Sequence, residues 1–217
     1  MIDDRFLEDD SLPFDQEAFD LIVDGRRYIT PYRFAFDDLI YSYPHYTVGE
    51  LAGIELTEKD NVIFRKAKPE EYGLLEDFLY EAIFIPEGVE PPPREIIKRP
   101  ELQVYIENFG SRSSDICMFA EKEGKVMGAA WVRIMKDYGS ISPHVPSLAI
   151  SLYPEYRGKG IGTALMRALL NEVRRQGYGL VSLSVQKANY AYTMYRKLGF
   201  ETVRKTADEY IMQKFLF

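Results

Sequence analysis

A chain of 217 residues with 46% apolar and 14% aromatic side chains has material for one domain with an appendage or for two small domains, and can bury a real core. A formal charge of −7 without a dense stripe of Lys and Arg argues against nucleic acid as a partner, and the absence of any run of about 18 apolar residues argues against a membrane span. A single cysteine and two histidines exclude an internal disulfide and a Cys/His zinc centre, so no metal is expected.

The first residues, Met1-Ile2-Asp3-Asp4-Arg5, lack the basic and apolar regions of a signal peptide, which points to a cytoplasmic protein. Residues 1–60 hold 15 acidic and 5 basic side chains, the remainder 19 and 22. An acidic extension, 1–60, therefore rides on a mildly basic body, 61–217, and the basic excess suits a polyanionic ligand. The extension carries ten aromatic residues between Phe6 and Tyr46, too many for a solvated tail. About 60 residues make a marginal core alone, so the segment is expected to pack on the body or on a second copy in a homodimer. Within it, an Asp24-Gly25 turn between Leu21-Ile22-Val23 and Arg26-Arg27-Tyr28-Ile29 predicts a hairpin.

The body opens with a strand at Val62-Ile63-Phe64-Arg65. Lys68-Pro69-Glu70-Glu71 then starts an amphipathic helix reaching to about residue 84. Residues 85–100, with Pro86, Pro91-Pro92-Pro93 and Pro100, form a stiff irregular loop, and a short helix is expected over about 101–109. The runs 116–121 and 125–134 flank a turn with Gly124 and predict a β-hairpin. Cys117 lies in the first run and reads as a buried apolar residue. A loop over 136–146 leads to a central strand at Leu148-Ala149-Ile150-Ser151-Leu152. Beyond it come a helix from Ala164, a strand at 180–185, a helix over 189–198 and strands near 200–205 and 209–215.

Between the central strand and its helix stands Arg157-Gly158-Lys159-Gly160-Ile161-Gly162-Thr163. A helix N-terminus presents unpaired N–H groups and the positive end of its dipole, and glycines let a phosphate approach. The spacing fits neither the Walker-type loop nor the dinucleotide fingerprint; Thr163 occupies the last glycine position of the latter and Glu172 comes too early for its ribose-binding acid.

The order Arg-x-x-Gly-x-Gly at Arg157, Gly160 and Gly162, followed by Leu183-Ser184-Val185, Asn189, Ala191, Tyr195 and Leu198-Gly199-Phe200, resembles the GCN5-related N-acetyltransferase (GNAT) superfamily. That resemblance implies a mixed α/β sheet in which the fourth and fifth strands of the body splay apart, and acetyl-CoA as co-substrate. It assigns the pyrophosphate to backbone N–H groups of Gly158, Lys159, Gly160, Ile161, Gly162 and Thr163, with Arg157 starting the motif. It also assigns pantetheine and thioester contacts to the N–H groups of Ile150 and Leu152, and the arm or a helix cap to Asn189. Tyr195 matches the proton donor to the leaving thiolate, with an ordinary phenol near about 10 against an alkyl thiol near about 8.5. The family's strand-start glutamate is replaced by Pro146 and Ser147; His144 then reads either as the base, directly or through water, or as a surface residue, with the amine losing its proton along a water chain. Glu87, Glu90, Glu95 and Glu101 lie where the acceptor pocket is shaped and read either as attractors of a cationic amine or as a solvated charged loop. The expected activity is direct acetyl transfer in a ternary complex to a small-molecule or peptide amine. Two alternatives stand beside it: a non-catalytic acyl-CoA-binding domain, and an interaction protein that uses residues 1–60.

Overall fold

Two continuous apolar runs joined at Gly124 form a hairpin within the sheet, buried on both faces. The computed structural model describes residues 20–23, 26–29 and 62–216, and its backbone divides into two units, Met1–Tyr46 and Thr47–Phe217. In the first unit β1 (Asp20–Val23) and β2 (Arg26–Ile29) pair antiparallel with Val23 opposite Arg26, the spacing expected of a two-residue hairpin turn. The expected packing of residues 1–60 against the body or a second copy lies outside the described residues.

The second unit runs β3 (Val62–Lys66), a 3-10 turn (Pro69–Leu74), α1 (Leu75–Ala82), a 3-10 turn (Arg94–Lys98), α2 (Pro100–Gln103), β4 (Ile116–Lys122) and β5 (Lys125–Arg133). It continues with β6 (Ser147–Leu152), a 3-10 turn (Pro154–Tyr156), α3 (Ile161–Arg175), β7 (Leu180–Gln186), α4 (Ala191–Lys197), β8 (Glu201–Lys205) and β9 (Glu209–Phe215). The sheet order is β3-β4-β5-β6-β7-β9-β8. All neighbours are antiparallel except β6 and β7, which are parallel and register through the single pair Ser147–Ser182. These are the fourth and fifth strands of the body, and they splay as expected.

Strand alternation sends one set of side chains to each face. Cys117, Phe119, Ala129 and Trp131 meet Leu75, Phe78 and Leu79 of α1 in one core. The other set, Met118, Ala120, Ala130 and Val132, is buried as well, against α3, which contacts β4, β5 and β6. The Ser151 hydroxyl donates to Phe78 O at 2.6 Å and ties β6 to α1.

Two helices are shorter than the sequence predicts. The first begins as a 3-10 turn in which Glu71 accepts the Lys68 N–H at 2.8 Å while its carboxylate also grips Arg65 at 2.7 Å. The second ends at Gln103 because Arg133, fully buried, donates to Val104 O at 3.0 Å and Glu107 O at 2.9 Å, taking carbonyls that a continuing helix would use. The same guanidinium makes a two-pronged pair with Asp115 at 3.0 and 2.8 Å. Breaking a buried pair of this kind leaves an uncompensated charge. The segment after α2 is thereby pinned to the end of β5.

Candidate functional site

The glycine turn sits where the sequence places it. Gly158 and Gly160 have φ of +74° and +80°, left-handed values that residues with a Cβ adopt reluctantly. Gly160 is the N-cap of α3, and Thr163 and Ala164 both donate to its carbonyl, at 3.0 and 3.1 Å. Helical bonding begins only with them, so the N–H groups of Gly160, Ile161 and Gly162 are the free donors of the helix start. A Cβ on Gly162 would lie 3.1 Å from Leu152 Cδ1, which keeps this helix close to the end of β6. Lys159 is exposed, with its ammonium 6.0 Å from the Tyr156 ring centre. Free amides, the positive end of a fifteen-residue helix and a nearby cation fit a phosphate group.

Arg157 faces elsewhere. Its Nε donates to Leu152 O at 2.9 Å and a terminal nitrogen reaches Glu81 at 2.7 Å, so the motif arginine braces the end of β6 against the end of α1.

Along β6 the backbone groups of alternate residues point to opposite edges. Ser182 N–H reaches Pro146 O at 3.0 Å, so the even-numbered residues face β7, whereas Tyr153 N–H turns the other way to Met127 O at 3.0 Å. Ile150 and Leu152 therefore direct their N–H groups into the fork, beyond the one pair that joins the strands. Their donors are free in the sense the motif requires.

Asn189 Oδ1 accepts the Ala191 N–H at 2.9 Å and caps α4. Tyr195, on α4, is 7% exposed and meets the Phe200 ring edge-on at 5.7 Å between centres. Burial pushes its phenol well above the ordinary range, with a smaller contribution from Tyr190. That differs from the unshifted phenol expected from sequence, because the ring lies inside the packing beneath α4. Cys117 is 4% exposed, and burial raises its thiol also, as suits an inert core residue.

His144 is exposed on the loop before β6, its N–H directed to Ser142 Oγ at 3.4 Å. Glu87, Glu90, Glu95 and Glu101 are all exposed, in keeping with the solvated alternative. The loop before β6 also carries a residue outside the sequence motif. Asp137 Oδ2 accepts from Tyr105 OH at 2.8 Å and from Ser147 Oγ at 2.7 Å, while its Oδ1 is buried without a partner. The Tyr105 hydroxyl is driven far upward, first by burial and then by Asp137. Glu209, on β9, is raised by burial and by the charges of Asp208 and Asp137. Gly139 holds the loop against β7; a Cβ there would lie 2.7 Å from Ser184 N and 2.7 Å from Ser147 Oγ. The available signal was an acid four residues past the end of β5, two residues before a glycine.

A cavity of about 150 Å³ opens elsewhere, beside Lys66, Cys117 and Glu172. The buried Glu172 carboxylate is satisfied there by Lys66 and Gln176. Among the described residues no cluster of metal-ligating side chains occurs, and no helix is long and apolar enough to cross a membrane.

A family model described as Acetyltransferase (GNAT) family matches residues 79–200. Human N-acetyltransferase 8B is 29% identical over 108 residues, 49% of this chain and 48% of that protein. Mycothiol acetyltransferase of Saccharomonospora viridis is 36% identical over 86 residues, 37% of this chain and 28% of that protein. The chain thus spans under half the length of these curated relatives. Among solved structures, a GCN5-related N-acetyltransferase from Kribbella flavida superposes with a TM-score of 0.55 at 17% identity, covering 73% of this chain and 100% of that one. An N-acetyltransferase from Thermoplasma acidophilum, solved in complex with coenzyme A, superposes with a TM-score of 0.51 at 20% identity, covering 71% and 99%.

Proposed function

This chain belongs to the acetyltransferase (GNAT) family, and on that premise we propose that it transfers an acetyl group from acetyl-CoA directly to an amine, both bound at once. The observation that carries the reading is the fork between β6 and β7, paired only at Ser147–Ser182, opening beside the free N–H groups at the start of α3. Those of Gly158, Lys159, Gly160, Ile161 and Gly162 would hold the pyrophosphate, with Lys159 supplying a countercharge; the Thr163 N–H expected to join them is instead bonded to Gly160 O at 3.0 Å. Leu152 N–H would take an amide of the pantetheine arm. Ile150 N–H would polarise the thioester carbonyl, the position in which a fixed backbone donor is most effective. Arg157 and Asn189 serve by holding β6 and α4 in place.

Tyr195 would donate a proton to the departing sulfur. The burial that raises its phenol makes it a weaker acid than the unshifted phenol expected from the sequence, so this role rests on the motif position. His144, exposed on the loop before β6, would relay protons between the site and water. A cytoplasmic enzyme drawing on dissolved acetyl-CoA is the setting this mechanism implies.

The test is thiol release from acetyl-CoA by the full chain, measured with a panel of polyamine, aminoglycoside, amino-acid and peptide amines, alongside calorimetric titration with CoA. Binding of CoA with amine-dependent thiol release is expected. Binding without release for any amine would favour a non-catalytic acyl-CoA-binding domain, and no binding would overturn the reading.

A further inference from the structure

We propose that Asp137 is the group that receives the acceptor amine and takes its proton; this rests on the acetyl-transfer reading above. Asp137 Oδ2 is occupied by two donors, Tyr105 OH and Ser147 Oγ. Oδ1 is buried and has no partner. A carboxylate oxygen kept from water and from protein donors costs free energy unless a ligand donor completes it. A protonated amine is such a donor, short and charge-assisted.

The position agrees with the chemistry. Ser147, which holds Oδ2, is the one β6 residue in register with β7, so Asp137 stands at the apex of the fork. Ile150 N–H, on the same strand, is three residues on, about 10 Å at roughly 3.3 Å per residue, a span that the acceptor nitrogen and the thioester carbon share. Ser147 has the strand parity of Ser151, which bonds α1 through Phe78 O, and Tyr105 comes from the segment after α2. The carboxylate thus lies on the α1 and α2 side of the sheet. Arg133 fixes that segment through Val104 O and Glu107 O, and Gly139 presses the loop to β7. Asp137 is preorganised from two directions.

The groups around it are Tyr105 after α2 and Ser147 on β6, which bond it, Glu209 on β9, and Tyr138 next to it in the chain. Glu209 adds a second carboxyl nearby, and the adjacent Tyr138 is exposed. The acceptor class this selects is an amine that arrives as its ammonium ion.

The step balances as follows. The ammonium gives one proton to Asp137 Oδ1. Its nitrogen then bonds to the thioester carbonyl carbon, the carbon–sulfur bond breaks, and the electron pair leaves on sulfur. Tyr195 protonates the sulfur, the second nitrogen proton restores the phenol, and Asp137 releases its proton to water, one per turnover. Tyr105 and Ser147 are positioning residues.

The full chain is tested with Asp137→Asn, Asp137→Glu and Ser147→Ala, using the amine with the highest wild-type rate. Asp137→Asn should bind CoA within about twofold of wild type, lose at least about 100-fold in kcat/KM for the amine, and lose the acidic limb of the pH profile. Glu should restore part of kcat, and Ser147→Ala should lower kcat with the limb shifted, effects that a packing role would not produce. Wild-type kcat/KM and pH profile in Asp137→Asn, or loss of the acidic limb with His144→Ala instead, would overturn the proposal while leaving acetyl transfer intact. A wild type that binds CoA and acetylates no amine overturns both, and one that binds no CoA overturns the reading beneath.

Discussion

Replacing Gly160 by aspartate separates the turn's role in folding from its role in binding. The left-handed φ of +80° at this N-cap costs a residue with a Cβ about 1–2 kcal/mol. Aspartate is among the residues that tolerate this region, and as an N-cap it returns about 1 kcal/mol by satisfying free N–H groups and complementing the dipole. The two effects nearly cancel, and folding stability should stay within about 1 kcal/mol of wild type. Binding has no such cancellation. The new carboxylate claims the N–H groups that the pyrophosphate needs and sets like charges about 4 Å apart, on the order of 4 kcal/mol at an effective dielectric constant near 20. At about 1.4 kcal/mol per tenfold, that is about a thousandfold in Kd. Thermal melts with calorimetric titration of CoA measure both quantities in one sample. A variant that melts like wild type and binds CoA with a Kd within about threefold would refute the assignment of the anion to this turn.

Tyr195→Phe should leave CoA affinity within about twofold and reduce turnover about 100-fold, read by thiol release across pH; wild-type rates throughout would remove the phenol from the chemistry. Asp115→Ala should cost about 3–5 kcal/mol in urea unfolding because Arg133 is left charged and buried, and a loss under about 1 kcal/mol would contradict the structure of that pair. Glu71 is held down to about 2, first by its hydrogen bond to Arg65, below an unfolded value of about 4.3. Its contribution is therefore fully present above about pH 5 and disappears as pH falls toward 2. Glu71→Gln should lose less melting temperature than wild type between pH 6 and pH 3; equal losses would show that the pair contributes nothing.

The strands and the glycine turn were legible because their signals are local. A Gly124 turn between apolar runs, or glycines before a helical stretch, states its geometry within about ten residues. What escaped reading depends on partners distant in sequence. Arg133 ends an apolar run and looks like a surface residue, yet it is fully buried because Asp115 and the carbonyls of Val104 and Glu107 surround it; the same contacts explain the early end of the helix expected over 101–109. Asp137 looks like any loop acid until Tyr105 and Ser147 close on it. The exposed Glu87, Glu90, Glu95 and Glu101 show the converse, since abundance of acids in a loop did not mark where a carboxylate is held.

The fork between β6 and β7 divides the sheet along a line that is also simple in the chain. Residues 62–175 build β3 to β6 with α3, residues 180–215 build β7 to β9, and the ladder between these stretches is the one pair Ser147–Ser182. On the acetyl-transfer reading, a donor molecule laid in the fork takes up Ile150 and Leu152 amides that a neighbouring strand would otherwise bond. It is then a seam as well as a substrate. Amide exchange in β7 and β9 should slow when CoA is added, so that cohesion of the two halves reports donor occupancy before any acetyl group moves.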